Sequence, residues 1–144
     1  MLFRSPARAW ATAAADIFYY KGKDYLLVVY YFSKYPEVAR LSCKNSEAVI
    51  LAMKDMFARH GILERLIADN MPFNSVKFKD FAGKWEIEVV TSIPHYPRSN
   101  GLVERNVQIV KQSLRKADES KQDAFLALVE LRNSPSSGTQ QNLL

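Results

Sequence analysis

Cysteine is nearly missing from this sequence. Cys43 is the only one, and it is accompanied by two histidines, His60 and His95. One thiol cannot close an internal disulfide, and no Cys or His pair stands at a zinc-ligand spacing. A disulfide scaffold and a cysteine-based zinc site are therefore excluded. A chain that folds without disulfides suits a reducing compartment, so an intracellular location, nuclear or cytoplasmic, is expected rather than secretion. Cys43 itself is expected to be a small, semi-buried residue with no special chemistry. Long apolar runs are missing too. The longest, Tyr25 to Phe32, is far short of the roughly 20 residues of a membrane span, so no membrane partner is expected. The opening stretch MLFRSPARAWATAAAD has Arg and Ala but no apolar centre. It reads as neither a secretory signal nor a transit peptide. No internal repeat is present.

What remains is ordinary globular material. Of 144 residues, 48% are hydrophobic and 24% charged, which argues against disorder. A chain of this length makes one domain and buries roughly two thirds of its unfolded surface. Lys and Arg number 20 against 15 Asp and Glu, a net charge of +5. That basic balance is compatible with a polyanionic partner.

Patterning divides the chain into a lead-in (residues 1–12), a folded core (13–133) and a fraying tail (134–144). Ala13 to Tyr20 reads as a strand with Asp16 inside it. Lys21 to Asp24 is a turn by composition. Tyr25 to Phe32 is apolar at every position, as in a strand covered on both faces. Ser33 and Lys34 turn the chain into a third strand, Tyr35 to Leu41. The period then becomes helical, with Val49, Ala52, Met53, Met56 and Phe57 on one face. Ser46 is the expected N-cap of this helix and Gly61 its stop. Arg65 to Ala68 is a short strand ending at Asp69. A loop from Asn70 to Ser75 leads to a second helix ending near Lys84, and Glu86 to Val90 is a fifth strand. Ser92 to Asn100, with two prolines, is expected to be a loop. A long helix over Gly101 to Lys116 and a last one over Gln122 to Arg132 complete the order βββ-α-β-α-β-α-α. This order implies an α/β fold: a five-stranded mixed sheet, with a three-strand antiparallel meander plus parallel strands, flanked by helices.

Three carboxylates stand out. Asp16 interrupts an apolar strand, and a buried carboxylate needs a hydrogen-bond partner or a cation. Asp69 sits at the carboxyl end of the fourth strand, where ligands gather in α/β sheets; Asp followed by Asn is also ordinary loop punctuation. Glu104 lies in the first turn of the expected long helix. There Val103, Val107, Val110 and Leu114 form a core stripe, while Glu104, Gln108, Lys111 and Arg115 run beside it. Such a polar stripe is often no more than a solvated face.

The stretches HYPRSNGLVER (95–105), ADN (68–70) and ADIFYYKGKDYLLVVYYFSKYPEVARL (15–41), in this order and spacing, resemble the integrase catalytic core of gypsy-type LTR retrotransposons and retroviruses. The resemblance runs from about Trp10 to Pro135. It implies a ribonuclease-H-like fold, in agreement with the order above. It also implies that Asp16, Asp69 and Glu104 are the two aspartates and the glutamate that hold two divalent metals, Mg²⁺ or Mn²⁺. Both ions favour hard oxygen ligands. Two of them about 3.5–4 Å apart activate the attacking oxygen and stabilise the leaving oxygen of a phosphodiester. The implied activity is hydrolysis of DNA ends followed by strand transfer into target DNA. The implied partners are element ends, target DNA, and further copies of the chain as a homodimer or higher oligomer. By the same resemblance Asn100, Gln108, Lys111 and Arg115 are expected to contact DNA. Tyr96, Pro97, Arg98 and Ser99 are expected to form a flexible loop before the catalytic helix. His60 is expected to be a helix C-terminal residue favoured by the helix dipole, and His95 a loop residue near the site.

The sequence departs from the family in four places. The glycine that usually follows Asp-Asn is replaced by Met71, and 34 residues separate Asp69 from Glu104, one fewer than is usual. Tyr30 stands where relatives commonly have Asp, with an effect expected on packing or solubility. With no paired His/Cys spacing in the sequence, the family's zinc-binding N-terminal domain is expected to be absent, and so is its C-terminal DNA-binding domain. These departures motivate an alternative: a catalytically impaired, domesticated remnant that binds nucleic acid or self-associates. A different ribonuclease-H-like nuclease is a third reading, opposed by the loop motif.

Overall fold

A computed structural model describes residues 11–69, 71–90 and 97–133, with the side chains of 97–100 and 132–133 left aside. The order is β1 (Thr12–Tyr20), β2 (Lys23–Tyr30), β3 (Pro36–Leu41), α1 (Ser46–His60), β4 (Arg65–Ala68), α2 (Val76–Lys84), β5 (Glu88–Val90), α3 (Pro97–Glu119) and α4 (Ala124–Asn133). The five strands form one sheet in the order β3-β2-β1-β4-β5. β1–β2 and β2–β3 are antiparallel, while β1–β4 and β4–β5 are parallel. The mixed sheet expected from the sequence is therefore present.

β2 shows why. Leu26, Val28 and Tyr30 enter one core with α1 and α2, and Leu27 and Val29 enter a second core with α3. A strand alternates its side chains, so a strand apolar at every position is stable only between two layers. β2 ends two residues earlier than its apolar run, and Phe32 is 83% exposed. The β1–β2 turn is shorter than composition implied. Only Lys21 (φ 48°) and Gly22 (φ 79°) lie between the strands. Positive φ at both positions matches the right-handed twist of a two-residue hairpin. Tyr20 donates a hydrogen bond to Asp118 Oδ2 (2.7 Å), and Lys21 Nζ pairs with the same oxygen (2.9 Å), which ties this hairpin to α3.

Several boundaries differ from expectation. The N-cap of α1 is Asn45, whose Oδ1 accepts from the Ala48 N–H at 2.9 Å. Ser46 is the first helical residue, and its hydroxyl instead meets Ser75 Oγ at 2.8 Å. β5 starts at Glu88 because Glu86 takes φ 58°, which breaks the extended run. The largest correction concerns the expected loop at Ser92 to Asn100. Residues 97–100 are helical, and α3 begins at Pro97. Proline is tolerated at a helix's first position, where its missing N–H would have no partner and its φ is already helical. Residues 91–96, including Tyr96 and His95, lie outside the described residues, as do the lead-in through Trp10 and the tail from Ser134. Cys43 is exposed rather than semi-buried, because it lies in the short link between β3 and α1.

Candidate active site

The site starts from strand register. β1 and β4 run parallel with Ala13 opposite Leu66, Ala14 opposite Ile67 and Ala15 opposite Ala68. Ala15 and Ala68 are the last of these pairs, and Asp16 and Asp69 are the residues that follow them along the two strands. The faces agree as well. Ala13 and Ala15 belong to the α1/α2 core, and Ala14 and Phe18 to the α3 core. Alternation therefore turns Asp16 toward α3. In β4, Leu66 and Ala68 join the first core and Ile67 the second, and continuing the alternation brings Asp69 to the same side. β4 ends at Ala68 while β1 runs on to Tyr20. Asp16 thus stands where a strand loses one neighbour, at a carboxyl edge of the sheet.

α3 supplies the third acid. Val103, Val107, Val110 and Leu114 are buried against the sheet as their spacing implied. Glu104, next to Val103, is exposed. It lies about two turns into α3 rather than in the first turn, because the helix starts at Pro97.

Asp16 is half-buried, and its Oδ1 accepts the Ile17 N–H at 2.8 Å. Burial pushes its carboxyl above the ordinary value, and the charges of Glu104 and Asp69 push the same way. The Ile17 N–H and the charge of Lys44 oppose them. Glu104 and Asp69 thus both act on Asp16 electrostatically. Their chemistry suits a hard divalent cation, with three carboxylates and neither thiol nor imidazole. Among the described residues, no three His, Cys, Asp or Glu side chains are drawn together closely enough to hold a metal ion.

The remaining expected residues divide. Gln108 and Arg115 are exposed on α3 and line an open depression of about 370 Å³ with Gln112, Lys116 and Glu119. Lys111 is half-buried, its Nζ 5.9 Å from the centre of the Phe18 ring. Pro97, Arg98, Ser99 and Asn100 occupy the first turns of α3, so the flexible loop assigned to Tyr96–Ser99 is corrected for its last three members; their side chains lie outside the described residues. Asn70, which follows Asp69, lies outside them too.

No protein-family model matches the chain. Curated relatives do. An uncharacterized protein of Caenorhabditis elegans is 34% identical over 117 residues, which is 78% of this chain and 9% of that protein. The Gag-Pro-Pol polyprotein of mouse mammary tumor virus is 33% identical over 73 residues, 50% of this chain and 4% of the polyprotein. The chain spans less than a tenth of either relative. Of solved structures, the catalytic core domain of BIV integrase matches with a TM-score of 0.72 at 21% identity, over 83% of this chain and 79% of that one. A chain of the simian T-cell lymphotropic virus intasome matches with a TM-score of 0.72 at 27% identity, over 89% of this chain and 49% of that one. The chain is an integrase-like core.

Two features of this integrase-like core were missed in its sequence. Lys44 is the cation whose charge reaches Asp16, yet it lies 28 positions from it along the chain. Its place between β3 and an N-cap gave only a weak hint. His60 is more than a dipole-favoured helix end. Its Nε2 lies 2.8 Å from Oε2 of Glu37, a carboxylate only 1% exposed. Its ring stands 5.1 Å from that of Tyr30, which is fully buried, so Tyr30 does act on packing.

Proposed function

We propose that this integrase-like core carries out metal-dependent phosphodiester hydrolysis and DNA strand transfer. In this reading Asp16, Asp69 and Glu104 hold two Mg²⁺ or Mn²⁺ ions. The observation that supports it is that Asp16 and Asp69 each follow the last paired residues, Ala15 and Ala68, of two adjacent parallel strands, and that the charges of Glu104 and Asp69 both bear on Asp16. When bound, the ions would supply Lewis-acid activation of the attacking and leaving oxygens. The chain's own part is to fix the acids on rigid elements. Asp16 is set by β1 and by the Ile17 N–H, Asp69 by the end of β4, and Glu104 by the buried valine stripe of α3. Asn100, Gln108, Lys111 and Arg115 follow Glu104's side of α3 and would meet DNA phosphates, which position a duplex without reading its sequence.

The folded core at 13–133, an intracellular location and DNA as partner, both element ends and target, belong to the same reading. So does self-association as a homodimer or larger assembly, which the exposed Phe125, Leu126 and Val129 of α4 support. The test is Mn²⁺-dependent nicking or strand transfer on DNA, with Asp69→Asn as the control. Activity that survives Asp69→Asn sinks the assignment.

One observation favours a second reading, a remnant that binds nucleic acid or self-associates without catalysis. It is the lack of a ligating trio of side chains among the described residues. Calorimetry separates the two. Salt-sensitive DNA binding with no saturable Mn²⁺ or Mg²⁺ binding selects the remnant.

A further inference from the structure

Away from the carboxylates, the β1–β2 turn, the end of β3 and the start of α4 surround a second depression, of about 620 Å³. Its cations are placed by strand register. Arg40 of β3 stands opposite Tyr25 of β2. Tyr25 belongs to the core under α3, so Arg40, its cross-strand partner, emerges on the same face. Lys23, two residues before Tyr25, shares that face by alternation. It is the diagonal neighbour of Arg40, about 7–8 Å away between backbones. β3 is the outermost strand, so the two cations stand at an open edge of the sheet. Both are exposed, and among the described residues neither forms an ion pair.

α4 adds an aromatic ring. The Asp123 carboxylate accepts the Phe125 N–H at 2.8 Å, which fixes the first turn of the helix. The Arg40 guanidinium lies 5.5 Å from the centre of the Phe125 ring. That cation–π contact leaves the guanidinium N–H groups available to an acceptor. Phe125 remains 55% exposed. It differs from Leu126 and Val129, exposed residues of the same helix that do not line the depression. Asp24 and Ser42 complete the polar lining.

A flat apolar ring beside two unpaired cations is complementary to a flat base that carries a phosphate. Asp24 supplies an acceptor for a base N–H. The depression opens along the sheet edge, whereas sites for free small molecules enclose most of their ligand. An open site suits one link of a chain that enters and leaves. In a duplex the bases are stacked inside and cannot reach Phe125.

We propose that this pocket binds an unpaired nucleotide of a single-stranded nucleic acid, its base on Phe125 and its phosphate held by Lys23 and Arg40. The site needs neither the three carboxylates nor a metal ion.

The test is a ¹H–¹⁵N NMR titration in EDTA with a single-stranded oligothymidylate of about 10 nucleotides. A duplex of the same length and thymidine 5′-monophosphate are titrated alongside. The amides of Gly22, Lys23, Ser42 and Phe125 are expected to shift saturably with the single strand. Phe125→Leu is expected to weaken the binding read at these amides about 10-fold, and Phe125→Trp to keep it. Lys23→Gln and Arg40→Gln are each expected to lower the slope of log K against log[salt] by about 0.7. Lys79→Gln, at an exposed site on α2, is expected to keep the slope. Shifts confined to α3 overturn the assignment, as does unchanged affinity in Phe125→Leu or equal affinity for the duplex. An equal loss of slope in Lys79→Gln overturns it too, since only net charge would be read. A mononucleotide that binds as tightly as the oligonucleotide overturns the strand in favour of a free nucleotide. Mn²⁺-dependent nicking is measured separately, so its absence would remove the metal reading and leave this result standing.

Discussion

Glu37 and Asp16 are both acids set into the sheet, on opposite faces. Glu37 faces α1 and is 1% exposed. Two basic residues meet it, with His60 Nε2 at 2.8 Å and Arg59 Nη2 at 3.3 Å. Asp16 faces α3 and receives one backbone N–H, but the nearest charges include two further acids, Glu104 and Asp69. Desolvation is costly for both. In the first case the Arg59 guanidinium and a hydrogen bond with His60 offset it, and the carboxylate fastens β3 to the end of α1. In the second, like charges add to it, which is the arrangement a divalent cation would relieve. Burial alone does not distinguish a structural acid from a functional one; the sign of its neighbours does.

The sharpest test of this contrast is Asp16→Asn. Nicking is expected to fall on the order of 10³-fold or more, while stability moves the other way. The Asp16 carboxyl titrates above its ordinary value in the fold, chiefly through burial. Its stabilising contribution is therefore complete below the ordinary carboxylate range and is lost as pH rises through the raised value. Removing the charge should raise the melting temperature at neutral pH in EDTA, with the gain vanishing in acid. A lower melting temperature at neutral pH would erase the distinction from Glu37.

His60→Ala should do the reverse. It removes the 2.8 Å partner of a buried carboxylate, and Arg59, another of its partners, is 42% exposed. A loss of about 3 kcal/mol is expected in urea unfolding, with nicking retained well below the transition. Loss of nicking in a variant that melts normally would make Glu37–His60 part of the active site. The smallest effect is expected from Lys111→Ala. Losing the contact of its Nζ with the Phe18 ring costs about 0.5 kcal/mol, and losing a phosphate contact lowers the salt slope by about 0.9. Both small changes should appear together.

Much of this arrangement was legible along the chain, because local periodicity carries it. The unbroken apolar run of β2 announced two covering layers, the valine stripe of α3 announced its buried face, and a charge inside β1 announced Asp16. What was not legible depends on close choices or on distance. Asn45 and Ser46 are adjacent and both cap helices well, so only geometry decides between them. Pro97 reads as a breaker until its position as the first residue of α3 is known. Glu37 and His60 lie 23 residues apart, and nothing in either neighbourhood points to the other.

The two partners of β1 also differ in how the chain must find them. β2 is recruited through a two-residue turn, so that hairpin can close in about 1–10 μs. β4 pairs with β1 across about 50 intervening residues, and loop closure of that length slows folding. Asp16 and Asp69 are therefore expected to come together late, after the meander has formed. The acidic edge would then assemble only in molecules that have completed their long-range pairing, so that a partly folded chain carries the hairpin without the chemistry.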